Sequence, residues 1–336
     1  MFSITSLITS LVSKGKYLHS GNHRVRQIQT SVRNSGLLLD MVKIVIPELT
    51  NAQHKGNCGC IAVVGGCQEY TGAPYFAAIS ALKLGSDLSH VFCTHDSATV
   101  IKSYSPELIV HPVLDHITSV SEVSKWLPRM HSLVLGPGLG RSAKILNNAQ
   151  GILEEAKKEN IPIVIDADGL FLVTEHPDTI KSYQKAILTP NVVEFSRLYE
   201  KMFGEQPLED EPVVNVKTLC QALGNVTIVQ KGYNDIISDG VHVLVCCGEG
   251  SPRRCGGQGD LLSGSMGTFN YWAHKAVEDG VSNKSLDVYG PTLCAAYGAC
   301  LLTRQCSKLA YEKYHRSTTT SDMVEQIHPA FEFLFV

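Results

Sequence analysis

The sequence lacks any apolar run approaching the roughly 18 residues that a bilayer-crossing helix requires, and no membrane partner is expected. It also lacks a basic surplus, since 29 Lys and Arg stand against 32 Asp and Glu for a net charge of −3. Bulk charge therefore gives no hold on nucleic acid. No internal repeat and no Pro/Ser-rich linker interrupts the chain, which excludes solenoids and strings of modules. The thirteen histidines show neither HExxH nor paired ligand spacing. The cysteines, eleven and so odd in number, are scattered from Cys58 to Cys306. Cys58-Gly59-Cys60 and Cys246-Cys247 lack the two-residue gap and second pair of a zinc knuckle. Reduced, structural thiols are the expectation.

What is present is a large apolar fraction. Hydrophobic residues make up 44% of the 336 positions and charged residues 18%, so the chain can bury a core that offsets its ordering entropy. Charge is unevenly spread. Residues 1–40 hold Lys14, Lys16, Arg24, Arg26 and Arg33 against Asp40, and are rich in Ser, with Phe2, Leu7, Ile8, Leu11 and Val12 suited to one helical face. That is the composition of a mitochondrial presequence; Ser and Thr within the apolar part, and basic residues after it, argue against a secretory signal. The remainder carries 24 basic and 31 acidic side chains. It is expected to fold as a single domain, residues 41–336, and removal of residues 1–40 to leave fold and activity intact.

Short β-branched runs without in/out alternation predict strands at Cys60–Val64, Leu88–Cys93, Leu108–Val110, Ser132–Leu135, Ile163–Ile165, Ala186–Leu188 and Val226–Gln230. Helical periodicity falls between them, at Ala73–Leu84, Lys144–Glu159 and Asn191–Lys201. The alternation implies an α/β fold, with a mostly parallel central sheet covered by helices on both faces. Ile236–Ser238 and Val241–Cys246 flank Asp239-Gly240, a pair that favours a type I′ turn and predicts an antiparallel C-terminal hairpin. Two helical stretches follow, Asp260–Val277 and Leu286–Gln305, and the acidic loop Gly204–Pro212 reads as an insertion.

Glycines cluster where strands end, the edge at which open α/β sheets bind ligands. Ile61–Val64 run into Gly65-Gly66 with Thr71-Gly72 opening a helix; Leu133–Leu135 run into Gly136-Pro137-Gly138-Leu139-Gly140, with Ser142 placed to cap the next helix. Such turns offer backbone N–H groups to an anion, although Arg141 stands where the third glycine of a dinucleotide fingerprint belongs. A third cluster, Gly256-Gly257-Gln258-Gly259-Asp260, leads into an apolar helix. There the backbone can approach a phosphate at a helix N-terminus, and Asp260 is either a helix-start stabiliser or a general base for a substrate hydroxyl. Asp166 and Asp168 end a strand and are expected to cap the helix beginning near Gly169. Lys231-Gly232, directly after a strand, favours phosphate contact over a solvated surface role; Arg253 and Arg254 fit either. Phe195 and Leu198 read as core, and Arg197 as facing a cleft.

The third cluster resembles the anion-hole-plus-base motif of the ribokinase-like superfamily, and Thr189-Pro190-Asn191-Val192-Val193-Glu194 resembles its Asn-x-x-Glu magnesium and phosphate motif. With Gly136–Gly140, Val164–Gly169, Asn191–Arg197, Val229–Gly232 and Gly250–Asp260 in that order, residues 45–330 resemble the ATP-dependent NAD(P)H-hydrate dehydratases. The resemblance implies coenzyme repair: phosphorylation by ATP of the ring hydroxyl of hydrated NADH or NADPH, then elimination of phosphate. It implies Asp260 as base, with Gly257 and Gly259 at the moving phosphoryl group. It places the hydrated coenzyme at Gly138, Asp260, and Asn191, Val192, Val193, Glu194, Phe195, Ser196 and Arg197. It places ATP, the co-substrate, at Lys231, Gly232, Tyr233, Asn234 and Asp235, and at Gly250, Ser251, Pro252, Arg253, Arg254, Cys255, Gly256, Gly257, Gln258 and Gly259. Mg2+ is implied as cofactor, with Glu194 as its carboxylate. A homo-oligomer is compatible with all of this. The alternative within the superfamily is a small-molecule kinase that stops at the phosphorylated alcohol.

Overall fold

The computed structural model describes residues 35–51 and 54–336. The basic, Ser-rich segment up to residue 34, and with it the presequence reading, lies outside the described residues. Among the described residues nine strands form one sheet in the order β3-β2-β1-β4-β5-β6-β7-β8-β9. They are β1 (Cys60–Val64), β2 (Leu88–Cys93), β3 (Ile109–Pro112), β4 (Ser132–Leu135), β5 (Ile163–Ile165), β6 (Ala186–Leu188), β7 (Thr227–Gln230), β8 (Asp235–Ser238) and β9 (Val243–Cys246). Every pairing from β3 across to β7 is parallel, and β7–β8 and β8–β9 are antiparallel.

The parallel strands read as unbroken apolar runs because both faces are covered. Along β1 the pleat sends Ile61 and Val63 into one core and Cys60, Ala62 and Val64 into the other; β4, β5 and β6 divide the same way. One core is closed by α1 (Ser35–Lys43), α2 (Gly72–Leu84), α3 (His95–Tyr104), α9 (Gln258–Glu278), α10 (Lys284–Tyr314), α11 (Thr320–Val324) and α12 (Ile327–Phe335). The other is closed by α4 (Ser119–Ser124), α5 (Ala143–Lys158), α6 (Asp168–Glu175), α7 (Val192–Phe203) and α8 (Pro212–Ala222). Ser142 caps α5 as expected, accepting from the Ile145 N–H at 3.4 Å.

Helix α9 lies across the middle of its face, buried almost throughout from Leu261 to Ala276. It fits there because it carries glycine at the contacts. A Cβ at Gly264 would stand 2.0 Å from the Ala77 carbonyl oxygen on α2, and one at Gly267 would stand 2.8 Å from Val134 Cγ2 on β4. That close seating delivers the N-terminus of α9 to the C-terminal edge of the parallel strands, where the glycine turns lie.

Three differences from the sequence reading have local causes. The hairpin turn spans residues 239–242, since Ser238 pairs with Val243. Asp239 Oδ1 accepts from the N–H groups of Val241 and His242 at 2.8 and 2.6 Å, an Asx turn that overrides the two-residue Asp-Gly preference. Helix α10 runs past its expected bounds but is broken at Gly290 (φ 73°), directly before Pro291. The boundary expected at residue 40 falls inside α1. Leu38, Met41 and Val42 are buried, the Cys294 thiol donates to the Met41 carbonyl at 3.4 Å, and a Cβ on Gly298 would meet Val42 Cγ1 at 2.8 Å.

A chain beginning at Met41 loses Leu38 and six of the nine residues of α1, and is expected to be less stable than one beginning at Ser35. Burial of one Leu side chain is worth about 1.5–3 kcal/mol, so the shorter chain should melt several degrees lower. Equal melting temperatures would show that α1 contributes nothing to the core.

Candidate active site

Three strand ends are drawn together by missing side chains. A Cβ on Gly65, after β1, would stand 2.0 Å from the Pro137 carbonyl oxygen, and one on Gly136, after β4, would stand 1.8 Å from that of Asp166. The Gly66 N–H donates to the Gly138 carbonyl at 3.0 Å. Gly138 itself has φ 60°, and a Cβ there would press on Tyr70 O at 2.8 Å.

At the end of β5 the chain passes through Ala167 at φ 47°, ψ −121°, a conformation L-residues rarely adopt. The two flanking carboxylates thereby gain distant partners, and neither caps α6 as expected. Asp166 is 2% exposed, and its Oδ1 accepts from Thr189 Oγ1 and from Lys231 Nζ, each at 2.8 Å. Asp168 accepts from the Gly140 N–H at 3.0 Å and from Arg141 Nε at 2.8 Å, and the Arg141 guanidinium lies over the Phe171 ring. The local helix-cap rule fails here because tertiary donors outcompete the free N–H groups of α6.

Lys231 follows β7, its N–H bonded to the Pro190 carbonyl at 2.9 Å. Its ammonium sits between Asp166 at 2.8 Å and Glu194 Oε2 at 4.0 Å. Burial pulls the lysine's pKa down, but these carboxylates outweigh it and hold the ammonium charged more firmly than usual. Asn191 and Glu194 form a capping box at the start of α7. Asn191 Oδ1 accepts from the N–H groups of Val193 and Glu194 at 2.9 and 3.0 Å, and Glu194 Oε2 accepts from the Asn191 N–H at 2.8 Å. Burial pushes the Glu194 carboxyl up, opposed by Lys231. Val192, Val193 and Arg197 are exposed and Ser196 is half-buried, donating to the Val192 carbonyl. Phe195 and Leu198 are core residues, so Phe195 presents no side chain to a ligand.

Across from α7 lies the start of α9. Gly257 (φ 92°) precedes it with no side-chain cap, leaving the first N–H groups of the helix without intrahelical acceptors. Asp260 stands in that first turn. A Cβ on the adjacent Gly259 would lie 3.5 Å from Lys231 Nζ and 3.6 Å from Asp166 Oδ2. Desolvation, reinforced by the Asp166 charge and opposed by Lys231, raises the Asp260 carboxyl to about 7. A carboxyl that changes protonation near neutrality thus sits close to a cation and at an uncapped helix N-terminus.

The remaining residues expected to meet ATP divide between display and support. Tyr233, Gly250, Pro252, Arg254 and Gly256 are exposed, and Asn234, Arg253, Cys255 and Gln258 half-buried. Asp235 is buried and builds the loop, accepting from the Gly232 N–H at 3.0 Å and from Arg304 Nε at 2.7 Å. Ser251 is buried against Ser307 at 2.8 Å. Arg253 donates to the Thr318 carbonyl and Arg254 to that of Ser251. Arg304 of α10 also reaches the Gly248 and Gly232 carbonyls at 3.1 Å each, tying the loops after β7 and β9 together. Its sequence signal, one of several cations in the second half of α10, is faint. All eleven cysteines are free thiols, and among the described residues no cluster of three or more His, Cys, Asp or Glu side chains could hold a metal.

With this geometry in view, residues 61–329 match the family model described as NAD(P)H-hydrate dehydratase. The ATP-dependent (S)-NAD(P)H-hydrate dehydratase of Homo sapiens is 58% identical over 305 residues, covering 91% of this chain and 86% of that protein. The Danio rerio protein of that name is 55% identical over 307 residues, covering 91% and 92%. The chain belongs to the NAD(P)H-hydrate dehydratase family. Among solved structures, the ADP/ATP-dependent NAD(P)H-hydrate dehydratase of Bacillus subtilis, co-crystallised with ATP/Mg2+, superposes with a TM-score of 0.64 at 17% identity, covering 88% of this chain and 97% of that one. A ribokinase-like superfamily protein from Enterococcus faecalis gives 0.70 at 20% identity, covering 88% and 94%. These two likenesses concern the fold, which is ribokinase-like as expected.

In this family member the Asp260 carboxyl is expected to titrate near 7 by carboxyl-carbon NMR. Asp166→Asn removes a repelling charge and frees Lys231 to approach, so the Asp260 midpoint should fall. An unchanged midpoint would mean that burial alone sets it.

Proposed function

We propose that the chain restores NADH and NADPH from their hydrated forms, using ATP to turn the ring hydroxyl into a phosphate that can leave. The observation that carries this reading is the Asp260 carboxyl, raised to about 7, in the first turn of a helix whose N–H groups are uncapped. The family relationship supplies the substrates: the curated relatives are named for ATP and for (S)-NAD(P)H-hydrate.

Hydroxide is a poor leaving group, and the chemistry divides accordingly. Asp260, once ionised, accepts the proton of the ring hydroxyl as the hydroxyl oxygen attacks the terminal phosphorus of ATP, and ADP departs with the electrons of the broken P–O bond. The N–H groups around Gly257 and Gly259 face the charge that grows on the transferred phosphoryl oxygens. Lys231, kept charged by Asp166 and Glu194, offsets negative charge beside the same atoms. The C–O bond of the phosphate ester then breaks with its electrons leaving on phosphate, a proton passes from the adjacent ring carbon to water, and reduced coenzyme, ADP and inorganic phosphate are released. In this reading Gly138 and Asn191–Arg197 receive the hydrated coenzyme, with Phe195 contributing only backbone, while Lys231–Asp235 and Gly250–Gly259 receive ATP.

A magnesium ion requires hard oxygen donors, commonly one or two carboxylates completed by phosphates and water. The residues present fit that pattern. Glu194, which the resemblance implies for this role and whose Oε2 accepts from the Asn191 N–H, is the carboxylate that would hold the ion, directly or through water. When bound, the ion neutralises phosphate charge.

Asp260→Asn keeps the side chain's size and removes the base. Turnover, followed by the return of nicotinamide absorbance from hydrated NADH with ATP and magnesium, should fall by roughly 10²- to 10⁴-fold, while ATP still raises the melting temperature. Wild-type turnover should itself decline as pH drops below about 7, because protonated Asp260 accepts nothing. Near-normal turnover by the variant would remove Asp260 as base. Consumption of ATP without return of absorbance in the wild type would identify a kinase instead.

A further inference from the structure

The N-terminus of α9 is supported from a part of the chain that none of the glycine motifs includes. Thr320, the first residue of α11, is 2% exposed, and its Oγ1 donates to the Gly256 carbonyl at 2.6 Å. Its only proton is thereby spent, so the Cys255 thiol, 3.5 Å away, is the donor in the second contact of that oxygen. The same side chain stands against Gly257, where a Cβ would meet Thr320 Oγ1 at 2.9 Å and Phe76 Cδ2 at 2.9 Å from α2. Thr320 is itself held. Asp322 Oδ2 accepts from both the N–H and the hydroxyl of Thr319 at 2.7 Å, and Arg253 Nε donates to the Thr318 carbonyl at 3.3 Å.

The consequence follows from peptide geometry. Across a planar trans peptide the C=O and the next N–H point in opposite directions. Tethering the Gly256 carbonyl to Thr320 therefore turns the Gly257 N–H away from the Thr320 hydroxyl. Glycines on both sides of this peptide resist rotation weakly, so the tether supplies an orientation the backbone does not hold unaided. We propose that Thr320 is a positioning residue for phosphoryl transfer, its hydroxyl aiming the Gly257 N–H at the transferred group. The proposal rests on the reading of Gly257 as part of the anion hole.

The full chain carrying Thr320→Val, which keeps the shape and removes the hydroxyl, tests it beside Thr320→Ser, which keeps the hydroxyl. Loss of one oxyanion-hole donor typically costs about 10²- to 10³-fold in kcat, and a donor that is present but misaimed should cost roughly 10- to 100-fold. KM for ATP and for hydrated NADH should stay within about three-fold, the split expected of an interaction made in the transition state, and Thr320→Ser should recover most of kcat. ADP with aluminium fluoride and magnesium mimics the transferring phosphoryl group. Its protection against thermal unfolding should weaken in Thr320→Val, while protection by ATP persists. If the apolar branched side chain prevents folding, Thr320→Ala reads the same comparison. A kcat within about two-fold of wild type, a Ser variant as impaired as the Val variant, or unchanged aluminium fluoride protection would each overturn the proposal. A wild-type chain inactive on hydrated NADH would contradict the proposed function instead, and the aluminium fluoride comparison would still decide the role of Thr320.

Discussion

The site depends on the ion pair between Lys231 and Asp166. It joins the end of β5 to the end of β7 across β6, with Thr189 from the end of β6 bonded to the same carboxylate oxygen. Three consecutive strand ends are thereby locked by one buried acid. Asp166 is 2% exposed and Lys231 22%, so removing either partner leaves a charge with little solvent to replace it, a loss of about 3–5 kcal/mol in comparable buried pairs. The same pair sets the electrostatics of the cleft. Burial raises Asp260 and Glu194; Asp166 adds to the rise at Asp260 and keeps Lys231 charged, while Lys231 counters both carboxyls.

Glycine makes that arrangement reachable. The carbonyl of Asp166 stands where a Gly136 side chain would be, so the turn after β4 and the end of β5 can share one edge only without a Cβ. Gly264 and Gly267 do the same for α9, letting it pack closely against α2 on one side and against β4 of the sheet below, with its first turn at that edge. Ala167 shows what the arrangement costs. A non-glycine residue held at φ 47° is strained by about 1–3 kcal/mol, and the strain lies between the acid that binds Lys231 and the acid that binds Arg141 and Gly140.

Much of this is legible in the sequence. Cys60–Val64, Ser132–Leu135 and Ala186–Leu188 read as strands at their observed bounds, because a strand buried on both faces leaves a continuous apolar run that needs no partner to be recognised. Asp260 is legible as chemistry because it follows a glycine cluster at the start of a helix and Lys231 because it directly follows a strand, whereas Asn191 and Glu194 are legible through the family resemblance. What escapes is whatever depends on distant partners. Asp166 and Asp168 look like helix caps because the local rule sees only the following turn, whereas their donors come from residues 231, 189, 140 and 141. Arg304 and Thr320 act on loops 50 or more residues away, and nothing adjacent in sequence marks them. The register of the hairpin escapes for the opposite reason, since the Asp239 side chain builds a longer turn than the dipeptide suggests.

The central claim is that water leaves the coenzyme as the oxygen of a phosphate. Hydrated NADH carrying 18O in its ring hydroxyl tests that directly. Dehydration through a phosphate ester places the label in the inorganic phosphate released with each turnover, because the C–O bond is the one that breaks. Label appearing in solvent water, with unlabelled phosphate formed from ATP, would contradict the account and remove the need for Asp260 as a base toward the hydroxyl.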